Sequence, residues 1–423
     1  MGDILHSNNP ARRMLLGAAL AAATGRAWPQ VGAQRLEFWT MQLSPHLDDY
    51  VLGLIRRFEA DNPGVTIKWV DLPWAETERK LLSAIAAKAG PDVVNLNPQF
   101  SAKLAEFGAL ADPEAHLGPA ERAEYLPAAW EANRLAGRCF ALPWYLSTNL
   151  TLYNRRLLGA AGVAVPASHA ELLAIAPAIK RAGSFAYFPA LDGATPLETL
   201  VAMGADLLDA RGCGAGFLNP RGAAVFDFYR QLYSQGLTPR NVVSEGHRKA
   251  IEMFLSGQVA IVSSGMQFLS YIRTANPQIY GQIEVAPQLL ADGCKPSIAA
   301  MNIAVPASSP RQALAFRFAR FVTGAAQQLD FARRVPILPS TVASYADPLF
   351  AKPDGSDLLG RARALSVRHV QDGAVQVPPL RNYNKLRSNF SRNLQALMLG
   401  RKTRAEAMAD VGAQWATLLG CKA

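Results

Sequence analysis

The chain alternates before it does anything else. Leu36-Glu37-Phe38-Trp39-Thr40 puts apolar and polar side chains on opposite faces, as a strand does. Ser44-Pro45 carries the marks of a helix start, and Tyr50, Val51, Leu54, Ile55 and Phe58 recur at helical spacing until Asn62-Pro63-Gly64. Residues 65–71 alternate again, and 73–89 return to helical period with Leu81, Leu82 and Ile85 on one face. A third strand covers 92–97 and a third helix 100–110. Strand, helix, strand, helix, strand predicts parallel strands joined by right-handed crossovers.

A second stretch repeats the logic. Residues 141–145 lead into a strand over 149–154, and Ser168 with Glu171 forms a capping box that opens a helix through Arg181. Asn219-Pro220 opens a helix carrying Val225, Phe226, Phe228, Leu232 and Tyr233. A helix over 250–255 stops at Gly257, and the strand 259–262 runs into Ser263-Ser264-Gly265. An apolar strand over 298–305 precedes a single helix over 310–331, and several helices follow Asp357. No repeat of 20–50 residues emerges. The predicted fold class is α/β.

Composition adds bounds. With 423 residues, 50% hydrophobic and 18% charged, the chain has the means for a large core in two or three domains or one bilobal body. The net charge of +10 is dispersed in short sets such as Arg56-Arg57 and Arg333-Arg334, without the patch or aromatic interleaving of a nucleic-acid binder, so no nucleic-acid partner is expected. Cys139, Cys213, Cys294 and Cys421 are too few and too widely spaced for a disulfide scaffold or a CxxC metal site; three full pairings are open, and one disulfide or none is expected.

Residues 1–33 read as a cleaved leader. Arg12-Arg13 precedes the Ala-rich run 14–23, too short to anchor in a bilayer, and Val31-Gly32-Ala33 supplies the small residues of a cleavage site before Gln34. The paired arginines resemble a twin-arginine signal, although Ala11 and Leu15 stand where Ser and Phe are usual, and an ordinary secretory signal containing two arginines is the alternative. The mature protein is therefore expected to be exported, soluble and periplasmic.

Catalytic signatures are missing: no GxSxG, P-loop, HExxH or strand-borne GxGxxG, and the six histidines are scattered singly. No cofactor and no metal are expected. The loops beyond the first three strands instead carry amides, carboxylates and indoles, among them Gln42, Trp74, Glu76, Asn97 and Gln99. Ligands of open α/β sheets bind beyond the carboxyl ends of strands, and this mixture suits a polyhydroxylated ligand, stacking its C–H faces and satisfying its hydroxyls. Trp69, in mid-strand, reads as core.

Phe38-Trp39-Thr40, residues 58–65, Gly90-Pro91-Asp92-Val93-Val94, Ala141-Leu142-Pro143-Trp144-Tyr145, Leu152-Tyr153-Asn154, residues 254–260 and Leu338-Pro339-Ser340 together resemble the extracellular solute-binding proteins of ABC importers, in the maltose-binding-like carbohydrate class called family 1. The resemblance implies a two-lobed, type II-like periplasmic-binding-protein fold, each lobe a sheet flanked by helices, with the ligand in the cleft between them. It divides the mature chain into 34–146 plus 299–338 and 147–298 plus 339–423, crossing near 145–148, 297–300 and 338. It implies that the protein is no enzyme but a monomer that closes on a mono- or oligosaccharide and delivers it to the membrane permease subunits. Carried over residue by residue, it adds to the five loop residues Trp144, Tyr145 and Ser147 at the first crossing, Phe188, Asp192, Ser264, Gly265 and Gln267 from the second lobe, and Asn302, Arg381 and Tyr383. Gln267 stands where many sugar-binding relatives have an aromatic, and Met301-Asn302 replaces a small, Gly-rich pair. Arg381 and Ser264 keep open an anionic polyol such as glycerol phosphate. Glu76 and Asp192 keep open an exported carbohydrate-active enzyme with paired carboxylates. A receptor of the same fold serving a sensor is a further alternative.

Overall fold

The computed structural model describes residues 34–420; the expected leader and Cys421 lie outside the described residues. Twelve strands form three sheets among these residues. In chain order they are β1 (Gln34–Met41), β2 (Val65–Leu72), β3 (Val93–Leu96), β4 (Arg134–Leu135), β5 (Arg138–Cys139), β6 (Leu142–Thr148), β7 (Leu150–Asn154), β8 (Phe185–Tyr187), β9 (Val259–Ser264), β10 (Ile283–Ala286), β11 (Ile298–Ala304) and β12 (Leu338–Pro339). The first sheet runs β12-β6-β11-β3-β1-β2, the second β10-β7-β9-β8, and β4-β5 is a short hairpin. The α/β expectation stands, and β1 pairs in parallel with both β2 and β3. Against that parallel trio, β11 lies antiparallel to β3 on one side and to β6 on the other.

The core follows the periodicity. β3 is buried on both faces, whereas the edge strand β2 keeps polar Thr66, Lys68 and Asp71 among its residues. Helix Asp48–Asp61 turns Tyr50, Val51, Leu54, Ile55 and Phe58 inward, where Phe58 meets Phe318 edge-on at 4.9 Å and Phe38 meets Phe318 at 5.2 Å. On the second-sheet side, Phe217 stands edge-on to Trp415 at 5.1 Å and Phe226 to Phe390 at 5.4 Å. Phe226 thus joins helix Pro220–Ser234 to helix Tyr383–Met398, and Phe217, just ahead of the first, reaches helix Arg404–Leu419.

Three elements differ from expectation. Ser44-Pro45 starts no helix: the Asp71 carboxylate accepts the Leu43 and Ser44 amides at 3.1 and 3.2 Å, holding them in a loop, and the helix begins at Asp48. The single helix over 310–331 is two, Gln312–Val322 and Ala325–Arg334, because Gly324 leaves helical conformation and becomes the N-cap of the second. Residues 141–145, expected only to lead into a strand over 149–154, belong to a strand of their own: β6 joins the first sheet, and β7, which begins one residue late at Leu150, joins the second. The helix opens at Ser168 as expected, but only half of the capping box forms: the Ser168 hydroxyl accepts the Glu171 amide at 3.2 Å, while the Glu171 carboxylate accepts the Ala167 amide, one residue before the N-cap, at 2.8 Å.

Past β12 the chain stays on the first-sheet side for several residues. The Leu126 amide donates to the Ser340 carbonyl at 2.8 Å, and the Val342 amide to that of Glu124 at 2.9 Å. Helix Leu358–Asp372 then belongs with the second sheet, where the Arg361 guanidinium grips both oxygens of Glu284 on β10 at 3.1 and 3.0 Å.

Candidate functional site

Two passages between the sheets lie side by side. β6 ends at Thr148 and the chain enters β7 through Asn149; β11 begins at Ile298, just after Ser297, and Ile298 pairs with Thr148 across the antiparallel ladder. A cavity of about 40 Å³ opens against this junction. Its first-sheet wall is the start of helix Pro98–Glu106, with Pro98, Gln99 and Ala102. The opposite wall is Ala194, Glu198, the Val375–Pro379 stretch and Tyr383, and Ile298, Ala299 and Ala300 form the floor. The sides also touch outside it, where the Asn382 amide donates to both oxygens of Glu106 at 3.2 and 3.1 Å.

Glu198 is the one charged side chain in that lining. Helix Thr195–Ala202, sequence TPLETLVA, carries it among otherwise uncharged residues. Its Oε2 accepts the Asn149 amide Nδ2 at 3.0 Å and its Oε1 the Ser297 hydroxyl at 3.3 Å. Burial pushes its carboxyl above the ordinary carboxylate range, against the opposing pull of those two donors. Beyond Glu198 a second, smaller cavity of about 20 Å³ enters the second-sheet side, with His169, Tyr187, Thr199, Ser263 and Gln288 around it. The Tyr383 hydroxyl is buried without a hydrogen-bond partner beside Gln99, and desolvation raises its pKa.

The sixteen sequence-derived candidates separate by location. Gln99 and Tyr383 line the inter-sheet cavity. Gln42, Trp74 and Arg381 are exposed outside it, and Glu76 is held by Lys80 one turn on at 2.5 Å. The Gln42 amide donates to the Leu72 carbonyl at 2.9 Å, which ties the loop after β1 to the end of β2, two residues before Trp74 opens helix Trp74–Ala86. Tyr145 and Ser147 sit half-buried on β6, Ser147 paired with the floor residue Ala299.

Three candidates are corrected to core. Trp144 is fully buried and stacks on Phe331 at 5.0 Å and 4°. Phe188 is buried as well. Asn302 is fully buried beneath helix Pro98–Glu106, its Nδ2 donating to the Ser101 hydroxyl at 2.8 Å. Other polar candidates are occupied by local structure. Asn97 caps helix Pro98–Glu106 by accepting the Phe100 amide at 2.8 Å. Asp192 accepts the His247 amide at 2.9 Å, at the start of helix His247–Leu255. The Ser264 hydroxyl lies 3.3 Å from His247 Nε2. Gly265 is packed so tightly against Gln267 that a Cβ would fall 2.1 Å from the amide oxygen. Asn149, Glu198 and Ser297 are the residues that sequence reasoning missed; the lone charge in an apolar helix was the available signal.

With that geometry in view, residues 44–329 match the model of the bacterial extracellular solute-binding protein family. The chain belongs to this family. Among solved relatives of this solute-binding protein, one from Synechococcus sp. MITs9220, assigned to oligosaccharide binding, superposes with a TM-score of 0.85 at 36% identity over 91% of this chain and 99% of that one. The GacH receptor of Streptomyces glaucescens GLA.O, solved unliganded and with acarbose, superposes at 0.78 with 24% identity, covering 92% and 100%. Both are periplasmic-binding-protein-type structures, and the fold expectation from the sequence holds. The mannitol-binding protein of Pseudomonas aeruginosa is 24% identical over 84% of this chain and 87% of its own length. Binding proteins of Brucella abortus and Brucella suis match at 24% identity over 63% of this chain, and the match spans 66% of their length, just under two thirds. No helix among the described residues is long and apolar enough to cross a membrane.

Proposed function

We propose that the protein is the substrate-binding component of an ABC importer, capturing a neutral mono- or oligosaccharide between two lobes and delivering it to the membrane permease. One observation carries the reading: the cavity at the junction of the two sheets is walled from both sides and offers Gln99, Glu198 and Tyr383 among apolar side chains. Acceptors and an unpaired hydroxyl suit sugar hydroxyls, and Pro and Val surfaces suit their C–H faces. The relatives named for oligosaccharide and mannitol support the same ligand class. At about 40 Å³ the cavity is far smaller than a sugar site, so the lobes must part to admit the ligand.

The lobes follow the two sheets, a few residues beyond the expected 34–146 plus 299–338: the first comprises 34–148 and 298–342, the second 150–297 and the C-terminal helices. The bonds of Ser340 and Val342 to the first-sheet side support placing the third crossing beyond Val342 rather than at Leu338. Residues 1–33 serve as the export leader, and the mature monomer works in the periplasm.

The alternatives fare worse. An anionic polyol needs a cation in the cleft, yet no Lys, Arg or His lines the cavity and its sole charge is a carboxylate. A glycosidase-type pair loses both its candidates: Glu76 is ion-paired on the surface and Asp192 accepts the backbone amide that starts a helix.

A thermal-shift screen of residues 34–423 tests the reading. A neutral sugar or polyol at a hundredfold excess over its Kd stabilises the protein by about 2.7 kcal/mol, whereas hits confined to phosphates or carboxylates overturn the neutral-ligand assignment. Trp74, 45% exposed at the start of helix Trp74–Ala86, provides a second check. Trp74→Ala leaves the melting temperature unchanged and weakens the sugar found in the screen about threefold to tenfold, the worth of one aromatic stacking contact. Unchanged affinity by titration calorimetry removes Trp74 from the site.

A further inference from the structure

A third cavity, of about 520 Å³, lies on the first-sheet side and shares no lining residue with the two at the sheet junction. Its size falls in the range of small-molecule sites. The end of helix Asp48–Asp61, the segment 116–124 and helix Gln312–Val322 enclose it. The floor is apolar: Phe58, Leu117 and Phe316 are buried there, and the exposed His116 ring stacks on Phe316 at 4.3 Å and 22°. The rim carries unmatched charge of both signs. Glu121 and Glu124 share the one guanidinium of Arg320, at 2.7 and 2.8 Å, which leaves one negative charge uncompensated. Arg317 stands three residues earlier on the same helix face, donates to Asn62 Oδ1 at 3.3 Å, and has no acidic partner among the described residues. One groove thus joins an apolar floor to a spare carboxylate and a spare guanidinium, and the proposed capture of sugar uses none of them.

We infer that this groove binds a free α-amino acid with an aromatic or branched apolar side chain. The ligand carboxylate takes the Arg317 fork, whose planar pair of N–H donors matches its two oxygens. The ammonium turns to Glu121 and Glu124, which together carry the extra negative charge. The side chain covers the floor against His116 and Phe316, where ring faces offer stacking. Each part rejects a different chemical neighbour. A monocarboxylate lacks the cation that the two acids call for, an amine lacks the anion for Arg317, and glycine leaves the floor uncovered. A neutral sugar brings charge to neither end, so this is a separate site, and the inference stands apart from the sugar reading.

Calorimetric titration of the protein with L-phenylalanine and L-leucine tests it. Both bind saturably, whereas 3-phenylpropionate, which lacks the ammonium, phenethylamine, which lacks the carboxylate, and glycine each bind at least about tenfold more weakly. Arg317→Gln removes the charge but keeps a donor, and weakens both amino acids by the same factor. Ala313→Trp fills the groove from an exposed position on helix Gln312–Val322 and abolishes binding. Arg317 is exposed as well, so both variants melt with the wild type. No saturable binding of either amino acid overturns the proposal. So does equal affinity for 3-phenylpropionate, unchanged affinity in Arg317→Gln, or binding that survives Ala313→Trp, which would place the amino acid elsewhere, the inter-lobe cleft included. If Ala313→Trp does not fold, Arg317→Gln decides alone. The sugar screen succeeds or fails independently, since none of these residues lines the inter-sheet cavity.

Discussion

Replacing Trp144 by alanine is expected to cost about 3–5 kcal/mol of stability, the range for truncating a large buried aromatic. The indole is fully buried on β6, lies flat on Phe331 at 5.0 Å, and meets Tyr145 edge-on at 5.1 Å. Phe331 in turn stacks on Tyr50 at 4.9 Å, so one ring column ties helix Ala325–Arg334 to β6 and to helix Asp48–Asp61. Truncation leaves a cavity in that column which rigid strands cannot collapse to fill. Urea unfolding checks it: the midpoint falls steeply, while the folded fraction keeps its sugar affinity. A variant of normal stability and lost affinity would return Trp144 to the binding surface.

His169 is expected to make the protein acid-sensitive. It begins helix His169–Arg181, 5% exposed, with Phe228 edge-on at 5.2 Å, and burial lowers its pKa from 6.5 to about 4. The native state therefore keeps the ring neutral at pH values where the unfolded chain protonates it. Between about pH 6.5 and 4 the unfolded state binds more protons, so stability is fully present above that window and is lost as pH falls through it. A shift of this size corresponds to about 3 kcal/mol. His247 and His369, also lowered by burial, act in the same direction. Stability measured against pH for wild type and His169→Leu should diverge by that amount between pH 7 and 4, the variant having the flatter acid limb. Parallel curves would mean that His169 is solvated in the native state.

The periodic elements were legible because each is decided by its own residues. β1, β2 and β3 alternate or run apolar, and the Ser168–Glu171 cap is a contact three residues long. The strand character of β6 was not legible, since Pro143 and two aromatics interrupt its alternation, whereas the crossing beside Asn149 was expected, through the family resemblance, within a residue of its place. At the site the difficulty was sharper. An indole at a strand end reads alike whether it faces a ligand, as expected for Trp144, or lies under a helix, where it does. Asn97 and Asp192 have the chemistry of ligand residues and spend it on helix starts. Glu198 escaped notice because residues 99, 149, 198, 297 and 383 converge only in the finished fold, and no local pattern links them.

The position of β11 has a consequence for how the chain comes to be folded. This strand, residues 298–304, lies in the middle of the first sheet between β3 and β6, some two hundred residues after β3. Until it has been synthesised, β3 and β6 have no common neighbour and each presents an open hydrogen-bonding edge, the kind of surface that recruits foreign strands. The amino-terminal part of the molecule thus cannot be completed first and left to wait. Its middle arrives last but for β12, after the whole of the second sheet, and contacts so distant in sequence form slowly. A nascent or truncated chain ending before residue 298 would carry that unfilled gap, and with it a standing risk of self-association.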